Sequence, residues 1–327
     1  MRKATLSRFF LFLISLSFIY SCQDEEVGET PNCETNRYKQ AFFTEFEKTP
    51  DVEYGKALNG NGILQSLYMD IFQPKNDPNS EPRPLLLWVH GGHFISGSKA
   101  DLEGLASVTA LRGFVSASIN YRLYNILSGI PDTADVYDIV VKSTQDISNA
   151  VTYFLKDARG PNLYNIDTTK IFLGGVSAGA IAVIHTTYLD PNDVLTPLTK
   201  TAIDANGGFE AFPNIRNYIR GVINLSGAII DPAIMESGDP AIYSYHGNKD
   251  NTVPIGKGFV GSEELKLVEM YGSKAIHDRA KQVGVSSIFV EVDGGGHSDI
   301  YLENRFLEAR TAFDVVLYDG LKQQICQ

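Results

Sequence analysis

Apolar and polar positions divide this chain into short buried runs separated by turn-forming clusters. Residues 67–72, Leu-Tyr-Met-Asp-Ile-Phe, alternate and predict an early strand stopped by Gln73-Pro74. After a turn-rich stretch from Lys75 to Pro84, residues 85–89 are continuously apolar, as a strand buried on both faces should be. Residues 114–119 form the next such run. Helical spacing over residues 135–159 makes Ile139, Ile147, Ala150, Val151, Phe154 and Leu155 candidate core positions, and Gly160-Pro161 ends it. An apolar strand at residues 170–173 then runs into a small-residue helix start at residues 178–182. Further strands are predicted at residues 221–225, 241–245 and 287–292, and further helices over 263–283 and 302–321. Strands alternating with helices predict an α/β class fold, a doubly wound, mostly parallel sheet with helices on both faces. In such sheets the active groups collect at the carboxyl ends of the strands.

The full length of 327 residues, 43% of them hydrophobic, suits one large α/β domain or two small ones, with no fixed-period repeat. Residues 1–21 read as a targeting segment: Arg2, Lys3 and Arg8 precede an apolar stretch too short to anchor in a bilayer. Its end, Ile19-Tyr20-Ser21-Cys22, resembles a bacterial lipoprotein box, with Tyr20 a poor fit. The resemblance implies lipidation of Cys22 and a membrane contact through that anchor only. The acidic run Gln23-Asp24-Glu25-Glu26 resembles a surface-export signal, so the expected location is the outer membrane, facing the cell surface or the periplasm. An ordinary secretory signal is the alternative. Residues 22–36 read as a tether and 37–327 as the folded body. Without residues 1–21 the chain has 25 basic against 39 acidic residues, a net charge of −14. That charge repels phosphate backbones, so nucleic-acid binding is set aside. Cys33 and Cys326 then remain. An oxidising compartment would let them pair and staple the two ends, free thiols being the alternative.

The chemistry centres on Gly175-Val176-Ser177-Ala178-Gly179, between the strand at 170–173 and the helix that follows. A serine on so sharp a turn is presented at the sheet edge with a helix N-terminus behind it. The pentad alone is weak, with about 0.2 matches expected by chance in a chain of this composition. Its partners decide. Ser177 needs a base. His297 directly follows the strand at 287–292, in Asp293-Gly294-Gly295-Gly296-His297, where three glycines free the backbone to bring an imidazole over the sheet edge. His185 is expected to point to core or surface, His277 to surface, and His246 to be structural. For the orienting carboxylate, Asp250 lies in the turn after the strand at 241–245, with Asp231 the runner-up. Oxyanion donors are expected after residues 85–89, in His90-Gly91-Gly92-His93-Phe94. The amides of Gly92 and His93, with that of Ala178, are the candidates, and Gly91 is a possible replacement. His93 itself reads as a rim residue. The glycine-rich turn lacks the G-x-G-x-x-G run of a dinucleotide loop, and no H-E-x-x-H spacing is present, so neither cofactor nor metal is expected.

The order Ser177, Asp250, His297 and these motifs resemble α/β-hydrolases of the carboxylesterase and lipase type over roughly residues 54–320. His90-Gly91-Gly92-His93-Phe94-Ile95-Ser96-Gly97 resembles that family's oxyanion segment, and Asn120-Tyr121-Arg122-Leu123 its following strand end. The approach through Tyr164-Asn165-Ile166-Asp167 to the elbow is also similar. His93 departs from the glycine or alanine of many members. The resemblance implies a serine hydrolase that cleaves carboxylic esters through an acyl-enzyme. Residues 186–218 are expected to form a small cap, with Phe209 and Phe212 above the substrate and Phe94 in the pocket floor. An external substrate, acetyl or feruloyl esters of polysaccharide, is the expectation. A peptidase of the same fold and a non-catalytic surface binder are the rivals.

Overall fold

The computed structural model describes residues 33–79, 81–261, 266–302 and 304–327. The targeting segment and Cys22 lie outside them. The chain opens with an antiparallel hairpin, β1 (Phe46–Leu58) and β2 (Leu64–Pro74). Next in space comes β4 (Val115–Ile119), antiparallel to β2. From β4 the sheet continues in parallel through β3 (Arg83–Val89), β5 (Ile166–Val176), β6 (Ile219–Leu225), β8 (Ala241–Gly247) and β11 (Ser287–Val292). A second, three-stranded antiparallel sheet holds β7 (Ala228–Ile229), β10 (Lys266–Gly272) and β9 (Lys257–Gly261), in that order.

Strand β3 shows why the sheet sits between two helical layers. Its side chains alternate: Leu85, Leu87 and Val89 belong to one buried cluster, Leu86 and Trp88 to another. The first cluster includes Val151 and Phe154 of α2 (Thr133–Arg159) and Ile181 of α3 (Ala178–Tyr188). The second includes Ala106 and Ala110 of α1 (Glu103–Leu111) and Phe313 and Leu317 of the last helix, Leu307–Ile325. Each face therefore needs its own cover, and an unbroken apolar run is the sequence form of that need. Arg122, at the end of β4, is buried against Asp146 of α2 and ties the edge of the parallel section to that helix.

Two expected helices are interrupted. Of residues 263–283, Lys266–Gly272 form β10 and the helix α4 covers only Ser273–Val283. The β10 segment alternates, with Val268 and Met270 buried and Lys266 and Glu269 exposed. Leu267 and Met270 also fit a helical stripe, which made the period ambiguous. Residues 302–321 likewise hold the end of a short helix (Asp299–Leu302), a 3-10 turn (Asn304–Phe306) and most of the terminal helix. That break lets both Ile300 and Phe306 reach the core. The chain pattern did not show β1, α1 or the small sheet.

Cys33 and Cys326 are joined by a disulfide that closes a loop of sequence separation 293. Arg37 is the first buried residue among those described, and its guanidinium pairs with Asp77 at 2.7 Å. In the chain-entropy picture a loop this long is worth about 5 kcal/mol. Cys326→Ser is expected to lower the thermal midpoint by roughly 5–15 °C under non-reducing conditions. A midpoint equal to that of the parent would show that the staple contributes nothing.

A second expectation concerns Asp193, beyond the end of α3. Burial, with the facing carboxylates of Glu236, Asp239 and Asp231, pushes its pKa up from 3.8 to about 7. Between those values the folded chain holds a proton that the unfolded chain gives up, so stability falls as pH rises through this window. Asp193→Asn should raise the thermal midpoint at pH 8 and leave it nearly unchanged at pH 4. Equal effects at both pH values would exclude the linkage.

Candidate active site

Strand β5 runs out at Val176, and the backbone reverses at once into α3. Ser177 makes that turn at φ 54° and ψ −119°, a conformation that strains an L residue by on the order of 1–3 kcal/mol. Two features hold it. The Ser177 amide donates to Leu225 O at the end of β6 (2.8 Å), and the helix lies directly against its neighbours. A Cβ on Gly179 would be driven into the carbonyl oxygens of Val89 and His90, and one on Gly175 into the backbone of Gly179. The glycines of the pentad thus let α3 sit on the end of β3.

Three distant side chains meet at this edge. Ser177 Oγ donates to His297 Nε2 at 2.8 Å, and His297 Nδ1 donates to Asp250 Oδ2 at 2.6 Å. An ionised carboxylate only accepts, which assigns the imidazole proton to Nδ1. Ser177 is 7% exposed, the His297 side chain 14%, and the Asp250 side chain fully buried. The loops carrying Asp250 and His297 follow adjacent strands and are laced by backbone. Lys249 N donates to Gly295 O (2.7 Å), and Gly294 N to Asn248 Oδ1 (2.9 Å). Burial alone would raise the pKa of Asp250. The hydrogen bonds from His246 and His297 override it and hold the carboxyl well below the ordinary range. Its other oxygen accepts from the amides of Thr252 (2.9 Å) and Val253 (2.8 Å).

The loop after β3 supplies donors. Gly92, His93 and Phe94 all have positive φ. Among the described residues, no backbone carbonyl accepts from the amides of Gly92, His93 or Ala178. His93 and Ala178 line one pocket with Ser177. Gly91 backs directly onto the serine, its missing Cβ position lying 3.2 Å from that of Ser177. The His93 ring lies 6.4 Å from that of His297, and burial, aided by that neighbouring imidazole, lowers its pKa.

The pocket beside Ser177 is apolar, partly open and about 30 Å³ in volume. Phe94 lines it, with Ile181, Val253, Val260, Leu267 and Met270. Its walls come from β9 and β10, from α2 and from the loops after β3 and β4, not from residues 186–218. Phe209 and Phe212, with rings 5.7 Å apart, line a separate open cleft with Thr186 and Leu189. None of residues 186–218 lines the pocket beside Ser177; the segment packs along α2 instead, where Asn206 Nδ2 donates to Asp138 Oδ1 at 2.7 Å. Asp231 is also elsewhere, capping a short turn through Ala233 N. His185 is buried in the core, accepting from Ile230 N and donating to Ile181 O, and desolvation lowers its pKa to about 4. His277, half-buried, bonds Ser287 Oγ.

Comparison with known proteins agrees with this architecture. The sequence pattern of the BD-FAE family matches residues 69–228, just under half of the chain. The solved structure of Thermogutta terrifontis esterase 2, phosphorylated by paraoxon, superposes with a TM-score of 0.60 at 19% identity, covering 86% of this chain and 95% of that one. The chain has the α/β-hydrolase fold. Lipase 1 of Geotrichum candidum is 30% identical over 131 residues, covering 36% of this chain and 21% of its own length. Chlorogenic acid esterase of Aspergillus niger is 29% identical over 170 residues, covering 50% of this chain and 30% of its own. The chain thus spans less than a third of the length of these curated relatives.

The packing of α3 on β3 can be tested by itself. Gly179→Ala overpacks backbone against backbone and is expected to destabilise the chain by about 3 kcal/mol or more. Gly60→Ala, where a Cβ meets nothing within 4 Å, is the matched control. Equal denaturation midpoints for the two variants would refute the close-approach argument.

Proposed function

We propose that this protein is a serine-dependent carboxylic ester hydrolase that transfers a short acyl group, acetyl foremost, to Ser177 and then to water. The observation that carries the reading is the hydrogen-bonded chain Ser177–His297–Asp250 at the carboxyl edge of the sheet. In the first step His297 Nε2 takes the hydroxyl proton as Ser177 Oγ attacks the ester carbonyl, and then gives it to the departing alcohol. Asp250 holds the imidazole and stabilises its positive charge. Water, deprotonated by the same nitrogen, then releases the acid. The amides of Gly92, His93 and Ala178 are the donors proposed for the oxyanion, the last at the N-terminus of α3.

The size of the apolar pocket supports a short acyl group. About 30 Å³ open to the centres of water-sized groups is small beside the ~300–1,000 Å³ of ordinary ligand pockets, which favours a short acyl group over an aromatic acid. A parallel comes from Thermogutta terrifontis esterase 2, also solved with propionate and with butyrate bound. The relationship to a chlorogenic acid esterase favours a feruloyl-type substrate as the second reading. In either reading the alcohol lies outside the pocket. An external polysaccharide ester suits a chain that we propose is tethered through Cys22 at the outer membrane.

A fluorophosphonate should label the parent protein and not Ser177→Ala, with turnover of an acetyl ester reduced about 10⁴-fold or more. Against a panel of acetyl, butyryl and methyl ferulate esters with acetylated xylan, kcat/KM should be highest for acetyl and at least 100-fold lower for the ferulate. Labelling that survives Ser177→Ala would overturn the nucleophile. Equal turnover of ferulate would overturn the acyl assignment. Efficient turnover of peptide amides, which an esterase leaves nearly untouched, would favour a peptidase. An unlabelled, inactive parent would favour a binding protein.

A further inference from the structure

We infer that His246 is a positioning residue for the reaction, a second imidazole that holds the Asp250 carboxylate at the oxygen used by His297. The inference rests on the reading of Ser177 as nucleophile. His246 ends β8 and is fully buried, and its Nε2 lies 3.1 Å from Asp250 Oδ2 and 3.0 Å from Val253 O. Oδ2 is also the oxygen that accepts from His297 Nδ1. One carboxylate oxygen is thereby fixed between two imidazoles, while the other is fixed by two backbone amides.

The direction of this hydrogen bond follows from its partners. Gly227 N donates to Asn224 Oδ1 at 2.8 Å, which settles the orientation of that amide. Asn224 Nδ2 therefore donates to Ser273 Oγ at 3.0 Å. Ser273 Oγ in turn lies 2.7 Å from His246 Nδ1 and can donate its own proton there. At the other end of the ring, Nε2 faces a carboxylate and a carbonyl, two groups that only accept. The Nε2 end requires hydrogen on Nε2, and the Nδ1 end accommodates that tautomer. Asn224, Ser273 and His246 are all fully buried, so no water competes for these bonds.

The consequence is geometric. Rotation about Cβ–Cγ moves both carboxylate oxygens, so the two amides on Oδ1 and the His246 donor on Oδ2 resist it together, and any tilt of Oδ2 would carry the His297 ring with it. His246 thus adds a restraint at the oxygen that His297 uses. It also ties the acid to the carbonyl of Val253, whose side chain lines the acyl pocket. Misplacement of a reacting group by about 1 Å can lower a rate about 10²-fold.

The test compares two amides at this position. In His246→Gln a side-chain N–H reaches the place of Nε2 and can still meet Asp250. In His246→Asn the amide stops near the place of Nδ1 and cannot. On an acetyl ester, measured well below each thermal midpoint, kcat should fall about 10- to 100-fold in the Asn variant with KM little changed. The Gln variant should recover most of that loss, and the rate of fluorophosphonate labelling should follow kcat. Equal kcat for the two variants, or an Asn variant as fast as the parent, would overturn the inference while leaving the esterase reading intact. A parent that neither turns over esters nor takes the label would instead sink the esterase reading. If the Asn variant does not fold, nitrogen NMR of histidine-labelled parent decides. His246 protonated at Nε2 alone is expected, and a ring protonated at Nδ1 alone refutes the proposal.

Discussion

The carboxylate of Asp250 is the constraint on which the rest of this site depends. A buried charge without partners is ruinous, and here four hydrogen bonds replace its water: two from backbone amides and two from imidazoles. Satisfying them fixes the turn after β8, the end of β8 itself and, through His297, the loop after β11. The lacing of those two loops by Lys249 and Gly294 follows from the same need, because the acid reaches the imidazole only if the two turns lie against each other. Stability and candidate chemistry thus draw on one set of contacts.

Strain enters at one place and is held by packing. Ser177 occupies a backbone conformation that a serine alone would avoid. It persists because α3 is seated on the end of β3 through Gly179 and because its amide is claimed by β6. The same seating brings the free amide of Ala178 toward the loop of Gly92 and His93. The surroundings over-determine the turn, so the hydroxyl is presented without being able to relax away.

The small sheet separates this chain from the simplest sheet-and-helix frame. Strands β9 and β10 bring Val260, Leu267 and Met270 beside the serine and narrow the pocket to about 30 Å³. Residues 186–218, whose loop-rich composition suggested a cap, contribute no lining residue to it. The acyl pocket is therefore shaped in part by an insertion between β8 and α4, close in sequence to the acid.

Much of the frame was legible in the chain. Continuous apolar runs marked β3 and β5 because strands covered on both faces have no polar side to show. The order Ser177, Asp250, His297 was legible because each residue directly follows such a run, and parallel strands deliver their ends to one edge. Residues 266–272 were misread because Leu267 and Met270 fit both a strand and a helical stripe, and only pairing with β9 and β7 chose between them. Phe209 and Phe212 were misplaced because nothing local records which cleft a long segment after a helix will line. The contact of His246 with Asp250 had one visible trace, four residues between a strand-end histidine and an acid, and that spacing alone does not say where either side chain points. Local pattern determined which segments are buried and which residues could carry chemistry. Only the tertiary structure decided which of them touch, because hydrogen bonds act over about 3 Å and the chain brings residues 177, 250 and 297 within that reach solely by folding.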